Sequence, residues 1–351
     1  AIVAVAVVTA VAAALPGTLL VLRRMALVSD AISHAILPGI VLAFFVTGDL
    51  DSPLLVVAAA ATGLVTVALI ETVSRSGLVG GDAASGLFSL GVVMVSRAAG
   101  DVHLDTDAVL LGELAFAPFD RFVLAGLDLG PTALWTMGGI LLLNLAALTL
   151  AFKELKLATL DAPLAALLGF SPALLHYGLM ALVSVTAVGA FQAVGSILVV
   201  ALMVAPPATA FLVTERFGRM LAASAALAAV AAVVGCVVAF AVDVSIAGAM
   251  ATVAGLQFAV VFLLAPRRGV LTQVRRRRSQ RLEFAGRLLV VHLAHHERGA
   301  DAAEENRVRA LHRHLQWSVP FTQRVVRHAL GHQLVRPAGE LLELTDSGRA
   351  L

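Results

Sequence analysis

Long apolar runs dominate this sequence and restrict what it can fold into. A helix needs about 20 apolar residues to cross the roughly 30 Å hydrocarbon core of a bilayer. Since 60% of the residues are hydrophobic and 14% are charged, the runs predict an all-α, polytopic membrane protein and exclude a soluble globular body. Runs of the required length, bounded by charges or turn residues, lie near 1–22, 26–46, 53–73, 84–100, 130–152, 174–192, 194–214, 219–242 and 246–265.

The charges divide the chain into two parts of opposite balance. Residues 1–266 carry 9 Lys/Arg and 15 Asp/Glu, whereas residues 267–351 carry 16 Lys/Arg and 8 Asp/Glu. We therefore expect a transmembrane domain over 1–266, a basic juxtamembrane linker over 267–282 and a small cytosolic domain over 283–351. We interpret the start at Ala1, inside an apolar stretch, as truncated or processed and not as a signal peptide.

The basic residues also predict the orientation. With nine spans and a cytoplasmic C-terminus, most loop Lys/Arg fall inside and most loop Asp outside, as the positive-inside bias requires. Arg97 and Arg121 are exceptions, and residues 103–128 are expected to form an external loop with a surface helix. An eight-span alternative merges 174–214 and would place Arg23 outside. We favour nine helices with a cytoplasmic C-terminus.

One ionisable pair lies inside the second predicted span. Asp30 and His34 are four residues apart and so share one face of a helix. Because a carboxylate at that depth is costly, such residues usually face a cavity and serve a function. A carboxylate with an imidazole suits Mn²⁺, Zn²⁺ and Fe²⁺, and Pro38 and Gly39 would loosen the helix beside the pair. The alternative is an interfacial Asp30 near Arg24, with His34 as its packing partner.

The chain has no G-x-x-x-x-G-K-[ST] phosphate-binding loop, so we do not expect it to be an enzyme or to hydrolyse ATP itself. A short cytoplasmic helix between two spans could contact a partner protein. Asp161 is a suitable N-cap, Pro163 suits a first turn and Gly169 suits a C-cap. An ordinary surface helix is the alternative. The candidate residues are Asp161, Ala162, Pro163, Leu164, Ala165, Ala166, Leu167, Leu168 and Gly169.

The tail after the last span has a basic start and a mixed α+β pattern. The arginines of 267–282 are typical of a topology signal that also contacts anionic lipid. Helical patterns near 283–297, 303–315 and 320–331, followed by a hairpin over 333–345, predict a winged helix. Seven of the ten histidines lie in this tail, and clustered histidines can bind metal, although plain surface residues are the alternative. The candidate metal ligands in the tail are His292, His295 and His296.

Several motifs occur together in a fixed order along residues 1–270. They are Arg23-Arg-Met-Ala-Leu27 with Asp30–Gly39, Gly81–Gly86, Leu90–Arg97, Phe152–Leu155, Asp161–Gly169, Gln192–Gly195, Pro206–Ala210 and Pro266–Gly269. Together they resemble the ABC-3 family, the permeases of ATP-binding-cassette importers for manganese, zinc and iron. Ser29 departs from the pattern, because the family usually has Gly there.

The resemblance implies a permease in a bacterial cytoplasmic membrane that imports a divalent transition metal, with manganese as the first expectation and zinc or iron as alternatives. Asp30 and His34 match positions that line the family's metal pathway, and 161–169 matches its coupling helix. The implied partners are two cytosolic ATPase subunits, an extracytoplasmic metal-binding protein and a second permease copy or paralogue. The metal is cargo, ATP binds the partner subunit, and no permanently bound cofactor is expected.

The tail resembles the winged-helix module of diphtheria-toxin-repressor-type regulators. DNA binding is not expected, because the predicted wing carries Glu340 and Glu343 and a membrane-tethered reader is unusual. Contact with the ATPase or sensing of cytosolic metal is the preferred interpretation. Two rival functions remain: a proton-coupled secondary metal transporter that uses Asp30 and His34 as a relay, and a membrane-tethered metal-responsive regulator.

Overall fold

Two units make up the chain in the computed structural model, Ala1–Ala265 and Pro266–Leu351. The structure describes residues 1–25, 42–43, 45–47, 53–75, 114–124, 127–266, 268–296 and 306–350.

Helices dominate the first unit. Six of those described (α1, α3 and α6–α9) are long and apolar enough to cross a membrane. The predicted spans near 26–46 and 84–100 lie largely or wholly outside the described residues, so the total of nine stays a prediction. The helices are α1 (Ile2–Leu22), α2 (Pro53–Arg75), α3 (Thr132–Leu150), α4 (Phe152–Leu160), α5 (Ala162–Leu167), α6 (Pro172–Val194), α7 (Ser196–Val213), α8 (Phe217–Val242) and α9 (Ile246–Leu264).

Helix α1 lies at the centre of this unit. It packs against α3, α6, α7 and α8, and its middle is buried from Ala12 to Leu20. Small residues allow the close approach, because lipid supplies no hydrophobic drive for helix association. A Cβ added at Gly17 would overlap the carbonyl oxygen of Met203 on α7, and one added at Gly235 on α8 would lie 2.5 Å from Met250 Cα on α9. The two glycines therefore set the spacing of these helices.

We expect Gly17→Ala to destabilise the membrane unit. The added methyl group must push α1 away from α7, and overpacking of this kind costs about 1–3 kcal/mol. The measurement is the thermal unfolding midpoint of the purified chain in detergent, which should fall by several degrees. Gly255→Ala on α9 is the matched control, because a Cβ there meets nothing within 4 Å. Equal unfolding midpoints for the two variants would contradict the close contact between α1 and α7 at Gly17.

Gly195 separates two helices where the eight-span alternative required one. It has φ +80°, a backbone conformation that L side chains rarely adopt. Its N–H donates to Phe191 O at 2.9 Å and ends α6, while its carbonyl accepts from Val199 N at 3.2 Å and begins α7. Residues 174–214 are therefore not one continuous helix.

A β-hairpin precedes α3, in the region where a surface helix was expected. Strands β1 (Arg121–Leu124) and β2 (Leu127–Pro131) pair antiparallel, so the expectation is wrong for this described part of 103–128. Arg121 Nε lies 2.8 Å from an Asp128 carboxylate oxygen. The pairing compensates the charge of Arg121, which accounts for a basic residue on the side predicted to be external.

The second unit contains helices and a second hairpin around its own core, which includes Leu289, Leu293, Val325 and Leu342. The β strands pair antiparallel around a two-residue turn at Gly339 and Glu340. Arg307 forms an isolated bridge to Leu341. The elements are α10 (Val270–His296), α11 (Leu311–His314), α12 (Val319–Gly331), β3 (Val335–Ala338), β4 (Leu341–Leu344) and α13 (Asp346–Arg349).

The basic segment predicted as a linker over 267–282 is helical for most of its length. From Val270 onward it is part of α10, which continues without a break to His296. Arg, Gln and Leu are good helix formers, and neither Gly nor Pro interrupts 270–285. The exposed arginines Arg275–Arg278 therefore project from a helix that also contributes to the core of the second unit.

Candidate functional site

The predicted metal-pathway residues lie outside the described part of the chain. Asp30, His34, Pro38 and Gly39 all belong to residues 26–41, so their placement is not described and their role stays a prediction. The structure does describe the segment that leads into them. Helix α1 ends at Leu22, and the chain turns so that the Met25 N–H donates to Leu20 O at 2.9 Å.

Arg23 connects this turn to two other helices. Its Nε donates to Thr159 Oγ1 on α4 at 3.1 Å, and its Nη1 lies 3.2 Å from His176 Nδ1 on α6. Since a guanidinium can only donate, Nδ1 accepts and the proton of a neutral His176 ring is on Nε2. Burial lowers the pKa of the Arg23 guanidinium. The sequence indicates only that Arg23 is a basic residue at the end of a span. Its two partners could not be predicted, because they lie 136 and 153 residues further along the chain.

The predicted coupling element is a short helix between α4 and α6. The Asp161 carboxylate caps α5 by accepting from Leu164 N at 3.0 Å, and Pro163 lies in the first turn, as the sequence predicts. The C-cap is Leu168, one residue earlier than expected. Gly169 follows with φ +88°, as is common just beyond a helix end.

The faces of α5 differ sharply in exposure. Ala165 is fully buried, and its side chain anchors the helix to the unit. The leucines point away: Leu167 is 85% exposed, Leu168 60% and Leu164 42%. A helix of six residues is far too short to cross a bilayer, so this apolar surface is not explained as a membrane span. The arrangement can bind an apolar groove on another protein.

A buried polar cluster inside the membrane unit has its hydrogen bonds satisfied. Asn144 on α3 donates through Nδ2 to Ala12 O at 2.9 Å and to Thr186 Oγ1 at 3.0 Å. The Thr186 hydroxyl bonds in turn to Leu182 O at 2.7 Å. Such bonds hold helices together where lipid offers no polar partner. We therefore assign Asn144 a structural role, which its position inside an apolar run could have indicated.

The tail histidines come together only in part. The ring centroids of His292 and His296 are 4.8 Å apart, and those of His295 and His296 are 5.0 Å apart. The structure adds His314 of α11, whose ring centroid lies 6.1 Å from that of His292. Across the described residues, no three His, Cys, Asp or Glu side chains are arranged to hold a metal ion. Metal binding by His292, His295 and His296 stays a prediction.

Known proteins align with nearly the whole chain. The zinc transport system membrane protein TroD of Treponema pallidum is 46% identical, over 100% of this chain and 96% of that protein. The manganese transport system membrane protein MntD of Bacillus subtilis is 42% identical, over 81% of this chain and 98% of its own length. The alignment with TroD thus includes the tail.

A solved structure and a family comparison also identify proteins similar to this chain. The PsaBC complex of Streptococcus pneumoniae with Fab matches with a TM-score of 0.63 and 26% identity, covering 76% of this chain and 91% of that one. Residues 1–265 match the ABC 3 transport family, which is the whole membrane unit. The chain is a multi-pass membrane protein and belongs to the ABC 3 transport family.

Proposed function

We propose that the chain is the permease subunit of an ATP-driven importer that carries a divalent transition metal into the cytoplasm. The observation that carries the proposal is the family match over residues 1–265, joined to relatives that are named for zinc and manganese transport. Asp30 and His34 would supply the carboxylate and imidazole that contact the ion along the pathway. Further support comes from the six described helices that are long and apolar enough to cross a membrane.

ATP hydrolysis is assigned to separate cytosolic subunits that dock on α5. The chain lacks a phosphate-binding loop, so the energy must arrive through contact. The support is the shape of α5: a capped helix whose exposed leucines are held in place by the buried Ala165. By the positive-inside bias, α5 lies on the cytoplasmic side with Lys153 and Lys156, and the C-terminus lies on that side too.

The other proposed partners are a second permease, a metal-binding protein and membrane lipid. We propose that a second permease copy or paralogue packs against the membrane unit within the bilayer. We also propose that an extracytoplasmic metal-binding protein docks on the side of the membrane opposite the ATPase. The exposed arginines Arg275–Arg278 would contact anionic lipid headgroups, because they follow the last membrane helix by only about ten residues in the sequence. The metal is cargo, so we assign no resident cofactor to the chain.

The second unit is proposed to be a winged helix with a regulatory role. Three helices, α10 to α12, precede a hairpin with a two-residue turn, and Arg307 adds a bridge beside β4. On α12, Arg324 and Arg327 are exposed. On the hairpin, Arg336 is neutralised by Glu343, with Nη2 and Oε2 2.7 Å apart. The wing is therefore poorly suited to DNA phosphates, and contact with the ATPase or metal sensing is the role we favour.

The transported ion should be named by cellular metal content. We expect a strain lacking this chain, grown at limiting metal, to lose most of its manganese if manganese is the cargo, and zinc or iron if one of those is. Elemental analysis of washed cells measures this, with a strain that re-expresses the chain as control. Unchanged contents of all three metals would contradict import by this chain.

Two other functions are distinguished by their energy source. A proton-coupled secondary transporter would continue uptake after removal of the ATPase and would stop when the proton gradient is collapsed. A membrane-tethered regulator would show specific, metal-dependent DNA binding by the full chain. Uptake that requires ATP and tolerates loss of the gradient supports the importer over both.

A further inference from the structure

The end of α4 and the start of α6, on either side of α5, both contact the same half-buried side chain, that of Arg23. Only Asp161 separates α4 from α5, and residues 168–171 separate α5 from α6. Thr159 is the second-last residue of α4, and His176 is in the second turn of α6. We therefore expect a displacement of α5 to reach Thr159 and His176, because one residue joins α5 to α4 and four residues join it to α6.

Arg23 binds both of these residues at once. Its guanidinium donates to Thr159 Oγ1 at 3.1 Å and to His176 Nδ1 at 3.2 Å. The planar guanidinium holds its N–H groups in a fixed fork, so the two bonds define the position of α4 relative to α6. A third donor, Nη2, is buried and has no hydrogen-bond partner among the described residues. A partly desolvated cation held in this way binds more strongly than one in water.

Arg23 is also the residue at which the chain leaves the central helix. It is the C-cap of α1, and Arg24 follows with φ +60°, an uncommon conformation for a side chain of this size. Asp30 comes seven residues after Arg23 in the sequence. The backbone of this turn therefore connects the α4–α5–α6 segment to the start of the segment predicted to line the metal pathway.

We propose that Arg23 is a positioning residue that transmits movement of α5 to the start of the metal-pathway segment, through its paired hydrogen bonds to Thr159 and His176. The inference rests on the proposed function, since it assigns a route by which a docked ATPase would control the pathway. It adds a defined connection between two sites that the sequence places far apart. The rival explanation is that Arg23 serves only as a positive-inside charge and a packing residue.

Lysine separates these explanations. Arg23→Lys keeps the charge, and hence the topology signal, but cannot form two fixed bonds with the same geometry. Arg24→Lys is the matched control, because the neighbouring side chain is exposed and also basic. Thr159→Val and His176→Gln each weaken one of the two bonds and leave Arg23 in place.

The experiment uses the whole complex, reconstituted with its ATPase in lipid vesicles, and measures metal uptake and ATP hydrolysis in the same samples. We expect Arg23→Lys to lower the amount of metal carried per ATP by roughly tenfold, the effect of losing about one charged hydrogen bond. Co-purification with the ATPase should be unchanged. Thr159→Val and His176→Gln should lower the same ratio by less, and Arg24→Lys should leave it unaltered.

Two results would overturn the assignment. One is a normal ratio of metal to ATP in Arg23→Lys. The other is a loss of assembly or thermal stability that matches the loss of uptake, with normal ratios in the Thr159 and His176 variants, which would make Arg23 a structural residue. If the unaltered complex carries no metal in an ATP-dependent way, the importer function itself fails, and the role of Arg23 fails with it.

Discussion

Replacing Asp30 by Asn is expected to abolish metal uptake while the complex still assembles. The substitution keeps the size of the side chain and removes the negative charge that would attract a divalent cation. His34→Gln should act in the same direction, because it removes the imidazole nitrogen that borderline-soft ions such as Zn²⁺ favour. Loss of either ligand should reduce uptake by roughly 100-fold or more. Even the loss of a residue that only supports a metal ligand can lower metal affinity by up to about 100-fold. Radioactive or fluorescent uptake assays in cells give the readout.

The control for these variants is Asp49→Asn. Asp49 carries the same charge, and the charge distribution puts it in an external loop rather than in a span. It should transport normally if charge inside the membrane is what matters. Normal uptake by both Asp30→Asn and His34→Gln would show that the pair is an interfacial or packing feature.

Most of the membrane unit could be predicted from hydropathy, because a bilayer forces the backbone to satisfy its hydrogen bonds within each helix. The run at 219–242 corresponds to α8, Phe217–Val242, and the run at 246–265 corresponds to α9, Ile246–Leu264. The same signal cannot report which helices touch. The central position of α1 depends on Gly17 meeting Met203, a contact across 186 residues that no local pattern contains.

Local rules also predicted α5, because capping is a property of adjacent residues. Asp161 and Pro163 act over one turn, and the structure has both where the sequence placed them. The β1–β2 hairpin was missed because residues 103–128 are polar and broken by Gly and Pro, which is compatible with several loop structures. Arg23 was missed for another reason: a basic residue at a helix end satisfies the positive-inside bias without any partner, so nothing pointed to Thr159 and His176.

The largest effect on energy coupling is expected from Leu167→Asp. Leu167 is the most exposed of the leucines on α5, so a carboxylate there is solvated and the helix should fold as before. Against an apolar groove on the ATPase, the same carboxylate would be buried without a partner. An unpaired charge buried in this way costs about 2 kcal/mol or more, which corresponds to a loss in affinity of about 30-fold. Co-purification of the ATPase and ATP-dependent uptake should both be lost.

Leu129→Asp is the control for that variant. It places the same change on the exposed part of β2, which the charge distribution puts on the external side, away from the ATPase. We expect normal assembly and uptake. Tight ATPase binding by Leu167→Asp would mean that α5 is an ordinary surface helix, and the docking surface would have to lie elsewhere.

Leu167→Asp also separates the importer from its nearest rival more clearly than the pathway variants do. Asp30→Asn should stop an ATP-driven permease and a proton-coupled transporter alike, because both need the ion or the proton to pass the same residues. A change on the surface of α5 leaves the pathway intact and affects only a protein that receives energy through that surface. Loss of uptake in Leu167→Asp, together with normal uptake in Leu129→Asp, would therefore be specific to a permease driven by a docked ATPase.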